Sequence, residues 1–240
     1  MVSAKDASRF CVSFLVVATA VFGLVASLSA GVVVQLTDVE NNVVVLCLDQ
    51  DPSCDLNPAI GAIKIVGGVG EFELDVTTAL SKPVIGSPKV ANVDLRSVDV
   101  IPRSVPSSGG TLIIDTTDTD FNLSAGTGTL VSTLSGTLNS VPGSSIKAQQ
   151  CLDLGNAGSP GGIQFPIPNC DVSLIHEKLT QATNRPLPFA DQRSGNFTLT
   201  GGNFSITERV VLGFSGNGNA IFDFDSTVNA SKPRKIPRRR

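Results

Sequence analysis

The chain has 240 residues and a formal net charge of −3, from 18 basic and 21 acidic side chains. It contains no tryptophan, no tyrosine and only one histidine. Residues 31–230 include 10 basic and 20 acidic residues, a net charge of −10. Nucleic-acid binding is therefore not expected, because it relies on basic patches and stacking aromatic side chains. The length suits one large β domain or two small ones.

The first thirty residues have the pattern of a signal peptide. Two basic residues precede an apolar stretch that begins at Cys11 and ends near Ala26, and small residues follow it. This stretch is shorter than the roughly 20 residues that cross a bilayer, which favours a cleaved leader over a membrane anchor. We predict a signal peptide over 1–30, cleaved near Ser29 or Ala30, and a protein exported to the cell surface or the medium without a stable transmembrane anchor.

Twelve segments beyond the leader alternate apolar and polar residues, as half-buried β-strands do. They are divided by Gly, Pro, Asn and Ser, and lie at 31–38, 42–48, 62–66, 71–78, 92–101, 111–117, 129–138, 145–154, 172–181, 196–200, 204–214 and 220–228. The last segment places Ala220, Phe222, Phe224 and Ser226 on one face and Ile221, Asp223 and Asp225 on the other. No long segment has a helical period. The pattern predicts an all-β protein whose residues 31–229 form an antiparallel β-sandwich, immunoglobulin-like or jelly-roll-like.

The cysteines predict two disulfides. Cys11 lies in the leader, and its removal leaves Cys47, Cys54, Cys151 and Cys170, an even number in an exported chain. A zinc site would require C-x₂₋₄-C spacing or histidines, and neither is present. We predict that neighbours in sequence pair, so that one disulfide joins the first two cysteines and the other closes the non-periodic loop 153–170.

Residues 57–121 contain VG-x-F-x-L-x-VTTALSKPVIGSP, DL-x-SV-x-V, GGTL-x-I and TDTDF. These elements resemble exported bacterial β-rich proteins of the PEP-CTERM type, which an exosortase-like system sorts to the cell surface. The resemblance covers about a quarter of the chain. It implies secretion and surface association, often alongside exopolysaccharide, and no shared enzymatic activity. The chain ends in NASKPRKIPRRR, without the Pro-Glu-Pro motif and apolar helix of the family's sorting tail, so we expect secretion without that anchor.

The stretch GGTLIIDTTDTDF at 109–121 is a candidate metal site. Extended geometry would place Asp118 and Asp120 on one face of a strand and Asp115 on the other. Calcium takes six to eight oxygen ligands, and three alternating aspartates do not supply them unless the chain turns. We interpret the stretch as the polar end of a strand, with a calcium site at these three aspartates as the alternative.

No catalytic motif accompanies the single histidine, His176. The nucleophile elbow G-x-S-x-G and the second histidine of a zinc protease are both absent from the sequence. Carboxylates are plentiful enough for a glycosidase, but sugar sites usually have flat aromatic platforms, and the only aromatic residue here is phenylalanine. The sequence therefore predicts a protein that is not an enzyme.

The last nine residues are strongly basic. The six cations are Lys232, Arg234, Lys235, Arg238, Arg239 and Arg240. We predict that 230–240 form a disordered basic tail, which is either a solvated end or a reversible electrostatic tether to anionic exopolysaccharide or other cell-surface components.

Together these features predict an exported, non-enzymatic structural or adhesive protein of the extracellular matrix. The alternative is a calcium-dependent extracellular binding module that uses Asp115, Asp118 and Asp120.

Overall fold

The computed structural model describes residues 31–82, 85–87, 90–103, 109–158 and 162–231. The predicted leader and the six cations of the predicted tether lie outside these residues. The described part of the chain forms twelve strands in two antiparallel sheets that pack face to face. It includes no helical segment with the length and hydrophobicity of a membrane span.

In chain order the strands are β1 (Val33–Asp38), β2 (Val43–Leu48), β3 (Ala62–Val69), β4 (Phe72–Leu80), β5 (Val90–Pro102), β6 (Gly110–Asn122), β7 (Gly126–Ser140), β8 (Ser145–Asp153), β9 (Val172–Thr180), β10 (Leu187–Leu199), β11 (Asn203–Phe214) and β12 (Gly218–Ser231). The first sheet has the order β2-β1-β6-β11-β8-β9 and is called sheet A below. The second, sheet B, has the order β10-β7-β12-β5-β4-β3. The predicted fold class, an antiparallel β-sandwich, is confirmed.

The period-2 pattern determines which face of each strand is buried. In β12, Phe222, Phe224 and Val228 are buried between the sheets, while Ile221 and Asp223 are exposed on the outer face of sheet B. Strand β12 thus contributes one apolar face to the core and one more polar face to the surface.

One predicted strand is much too short, and the last strand continues beyond its predicted end. The structure extends 196–200 back to Leu187, so that β10 includes Pro188. Proline is tolerated in edge strands such as β10, because alternate N–H groups of an edge strand point away from the ladder. The last strand, β12, continues through Ser231 and is still paired with β7 there. Ala230, for example, lies opposite Gly128.

A layer of polar side chains divides the interior into two apolar clusters. The larger cluster includes Leu36, Phe72, Leu95, Ile114, Val210 and Phe224, and the smaller includes Val93, Phe121, Leu152, Phe204 and Ile206. The polar layer consists of Thr116, Glu208 and Gln150, which lie side by side across sheet A, and Ser132 and Ser226, which lie opposite each other in sheet B. All five are fully buried.

Both predicted disulfides are present, Cys47–Cys54 and Cys151–Cys170. Gln164 and Ile167, in the loop closed by the second, lie on the outer face of sheet A. There the amide N–H of Ile167 donates to the Gln149 side chain at 2.5 Å. The loop therefore covers part of a sheet face that would otherwise be exposed.

Candidate ligand-binding face

The outer face of sheet B contains an open polar depression of about 380 Å³ near the middle of the sheet. Its lining comes from three adjacent strands, with Asp94, Arg96 and Ser97 from β5, Asp223 and Asp225 from β12, and Thr133 and Ser135 from β7. Every one of these side chains can donate or accept hydrogen bonds. Because they project from paired strands rather than from loops, their relative positions are fixed by the sheet.

A bulge in β5 shapes this depression. The register between β12 and β5 shifts between Phe222 and Phe224, so that Arg96 and Ser97 together lie opposite Asp223. Ser97 has a φ of 50°, and its amide donates to an oxygen of Asp223 at 2.7 Å. Bulges of this kind redirect side chains at the surface of a sheet. Here the bulge places Arg96, which is 60% exposed, beside the carboxylates.

The carboxyl groups of the depression crowd one another. Asp94 lies directly opposite Asp225 in the ladder. Burial, followed by the charge of Asp225, raises the pKa of Asp94 to about 6, and the ion pair with Arg96 opposes that rise. Burial also raises the pKa of Asp225, again opposed by the charge of Arg96. The depression therefore combines acceptors, one exposed guanidinium and neutral hydroxyls in a small area.

Such a set of groups matches a ligand with many hydroxyls. A carboxylate accepts two hydrogen bonds from neighbouring hydroxyls, a guanidinium donates to them, and Ser and Thr can do either. No aromatic side chain of the described residues lines the depression, so recognition there would rest on hydrogen bonds rather than on stacking.

The three aspartates of the predicted calcium site are held by different partners. Asp115 lies on the outer face of sheet A, where its two oxygens bind Nε and Nη2 of Arg209 at 2.6 and 2.7 Å. Both side chains are 1% exposed, beneath the loop closed by the second disulfide, and Arg209 also donates to the carbonyl of Gln164 in that loop. The carboxylate is therefore one half of a buried ion pair.

Asp118 and Asp120 differ from the predicted geometry as well. Asp118 points between the sheets, where it accepts hydrogen bonds from Ser81 and, at 3.1 Å, from Lys82. Asp120 lies in a bulge of β6 with a φ of 59°, so the alternation that would place both aspartates on one face is interrupted. Its carboxylate accepts from Asn156 at 2.7 Å and from Asn203 at 3.0 Å. Burial raises the pKa of Asp118, whereas the hydrogen bond from Asn156 lowers that of Asp120.

We expect that added Ca²⁺ leaves the melting temperature of the protein unchanged. The oxygens of Asp115 and Asp118 are engaged by cations, and no three His, Cys, Asp or Glu side chains among the described residues are grouped as metal ligands. A site occupied at 100 times its Kd would add about 2.7 kcal/mol, an effect that calorimetry detects easily. A shift of several degrees that disappears in Asp118→Asn/Asp120→Asn would establish the calcium alternative instead.

His176 joins a row of Ser, His and Asp that resembles a catalytic triad in its hydrogen bonds. Nε2 lies 2.8 Å from the hydroxyl of Ser132, and Nδ1 lies 2.9 Å from a carboxylate oxygen of Asp191. Burial lowers the pKa of His176, and Asp191 opposes this effect. However, Ser132 is completely buried in the polar layer and His176 is 1% exposed. The row therefore connects β7, β9 and β10 without presenting a nucleophile to solvent.

Sequence reasoning did not identify the depression on sheet B. One signal was visible, because Asp223 and Asp225 lie on the polar face of a segment whose other face is apolar. The sequence did not indicate that Asp94 lies beside these two aspartates. That proximity depends on the pairing of β5 with β12, strands that are far apart in the sequence.

No family model and no curated protein matches the sequence. Among solved structures, the chain is similar to TmCBM61, a carbohydrate-binding module determined in complex with β-1,4-galactotriose. The TM-score is 0.29 at 10% identity, over 67% of this chain and 88% of that one. It is also similar to the VP2 subviral particle of infectious bursal disease virus, with a TM-score of 0.21 at 12% identity, over 87% of this chain and 62% of that one. Structural similarities with TM-scores this low carry no information about ligand or activity.

Proposed function

We propose that this protein is a non-catalytic extracellular binding protein that holds a hydroxyl-rich polymer, such as a polysaccharide, on the outer face of sheet B. The observation that carries the proposal is the depression between β5, β7 and β12. It presents Arg96, Asp223, Asp225 and three hydroxyl side chains from paired strands. By binding such a polymer, the protein would serve a structural or adhesive role in an extracellular matrix.

The burial of the potentially reactive groups supports a non-catalytic role. A general acid must reach the leaving-group oxygen of its substrate, but the side chain of Asp94, whose pKa is about 6, is only 2% exposed. Likewise, Ser132 lies in the interior, where no substrate carbonyl can approach it. The groups that do reach the surface are suited to hydrogen bonding.

Two observations support an extracellular location. The chain has two disulfides, which persist in oxidising compartments, and residues 1–30 have the composition of a leader. We expect the intact mass of the exported protein to correspond to cleavage after Ser29 or Ala30, with four hydrogens lost to disulfides. An intact mass that still includes residues 1–30 would contradict the prediction of a cleaved signal peptide.

Binding to polysaccharides tests the proposed site. The double variant Thr133→Val/Asp225→Asn removes a hydroxyl and a charge from the depression with little change in shape. We expect it to weaken binding by at least about 10-fold, the loss expected when hydrogen bonds to a charged group are removed. Affinity electrophoresis against a panel of neutral and acidic polysaccharides measures this loss.

The matched control is Thr137→Val/Asp75→Asn, which makes the same chemical changes outside the depression. Thr137 is on β7 and Asp75 is exposed on β4. Equal binding by the two double variants would contradict the assignment of the site. Failure of the native protein to bind any polysaccharide would overturn the proposed ligand class, and release of shortened products would show that the protein is an enzyme.

A further inference from the structure

Strand β2 forms one edge of sheet A and lacks the features that usually block an edge. Its sequence, VVVLCL, contains no charge and no proline, and its register against β1 is continuous. An edge of this kind presents a row of free backbone groups that can pair with another strand.

The other three sheet edges each carry a protective feature within the described residues. Strand β9 has Glu177 and Lys178 at a register shift against β8. Strand β10 contains Pro188 and Arg193. Strand β3 contains Lys64 at a register shift against β4. Charges, prolines and bulges all discourage pairing between edges, so β2 is the exception.

The hydrogen-bond phase shows which groups of β2 are free to pair. The amide of Asp49 donates to the carbonyl of Val32 at 3.1 Å, and this pair continues the β1–β2 ladder. Bonded and non-bonded pairs alternate in an antiparallel ladder. Val44 and Leu46 therefore direct their N–H and C=O groups away from β1. Neither residue takes part in a turn or loop hydrogen bond among the described residues.

The same two residues carry the exposed side chains of the strand. Val44 is 54% exposed and Leu46 is 50% exposed, both on the outer face of sheet A. Strand β2 thus has two free pairs of backbone groups and two uncovered apolar side chains at the same positions.

We propose that β2 pairs antiparallel with β2 of a second copy of this chain, about a two-fold axis that passes between the two Val45 residues. Val44 of each copy then lies opposite Leu46 of the other, and each such pair exchanges two backbone hydrogen bonds. The four exposed apolar side chains form one cluster on the outer face of a continuous twelve-stranded sheet.

The neighbouring registers are less favourable. A shift of two residues in one direction would use the carbonyl of Leu48, which already accepts a bond from Asp51 at 3.0 Å. A shift in the other direction would bring Asn42, with a φ of 52°, into the ladder. The Val45 register uses only residues in regular extended geometry. It buries a small area, so the dimer is weak and depends on concentration.

Charges placed at the two exposed positions test both the pairing and its register. In Val44→Lys/Leu46→Lys, lysines face lysines across the two-fold axis, and we expect dimerisation to weaken by at least about 30-fold. In Val44→Lys/Leu46→Glu, each lysine faces a glutamate, and we expect an affinity within about 3-fold of that of the native protein. Sedimentation equilibrium up to about 1 mM protein measures both.

The two variants are matched in the number and position of their changes, and thermal melts followed by circular dichroism establish that both are folded. The change in net charge alone would favour dimerisation of the double-lysine variant. Its two lysines reduce the net charge of −10 on residues 31–230 and so reduce the repulsion between copies. A native protein that is monomeric at 1 mM would overturn the proposal. Equal dimerisation of the two variants, or equal loss of it in both, would overturn the proposed register.

Discussion

Replacing Asp115 with alanine is expected to lower the free energy of unfolding by about 3–5 kcal/mol, because the change leaves the buried guanidinium of Arg209 without its carboxylate. The two side chains form a bidentate pair, each 1% exposed, between sheet A and the loop that covers it. Urea unfolding at pH 7 measures the loss.

An exposed pair in the same protein provides the control. Arg103 and Glu73 form an ion pair whose side chains are 52% and 53% exposed. We expect Glu73→Ala to cost less than about 1 kcal/mol, because water already solvates both charges. Equal losses in Asp115→Ala and Glu73→Ala would show that burial of the first pair is unimportant.

The apolar replacement Asp115→Leu/Arg209→Met provides a further test. It removes both charges together, and we expect it to recover most of the stability lost in Asp115→Ala. A double variant as unstable as the single variant would indicate that the hydrogen bond from Arg209 to Gln164 in the covering loop, rather than the unpaired charge, accounts for the loss.

Replacing Glu208 with glutamine is expected to remove a pH-dependent loss of stability. Burial raises the pKa of Glu208 well above 4.5. Ser226 opposes this rise, and the charges of Asp94 and Asp225 add to it. The folded protein therefore keeps a proton that the unfolded chain releases above about pH 4.5. Rising pH then favours the unfolded state, by up to about 1.4 kcal/mol per pH unit until the pH reaches the pKa of the folded state.

Urea unfolding between pH 4 and pH 8 measures this effect as the difference between the native protein and Glu208→Gln. Asp94 and Asp225, whose pKa values are also raised, are present in both proteins, so their contributions largely cancel. Glu177→Gln, an exposed change on β9, serves as the control. Curves for native protein and Glu208→Gln that remain parallel throughout would mean that folding does not raise the pKa of Glu208.

Local pattern predicts much of this fold. The alternation in β12, with phenylalanines on one face and aspartates on the other, identifies both a strand and its buried face. The disulfides follow because Cys47 and Cys54 are separated by a short polar turn, and the structure confirms that pairing. Strand β10 was largely missed because Pro188 and Gly195 are typical of loops, and only its place at the edge of sheet B makes them acceptable.

The site and the polar layer depend on contacts between distant parts of the sequence. Glu208 follows Ile206 and precedes Val210 on the same face of β11, so an acidic residue in phase with apolar ones was the available signal. Its burial depends on the packing of sheet A against sheet B. In the same way, pairing of β5 with β12 brings Asp94 beside Asp225. Neither strand indicates its partner.

The polar layer also fixes the register of these long strands. A slip of one residue exchanges the two faces of a strand, and the alternating pattern alone opposes it. A slip of two residues keeps every apolar residue on its buried face, so the alternation provides no protection against it. In this sandwich, such a slip in β11 would move Glu208 away from its polar neighbours Thr116 and Gln150. It would then lie beside Ile114 and Ala148 in one direction, and beside Leu152 and the acidic Asp118 in the other. The buried glutamic acid thus disfavours the misaligned sheets that an uninterrupted apolar core would accept.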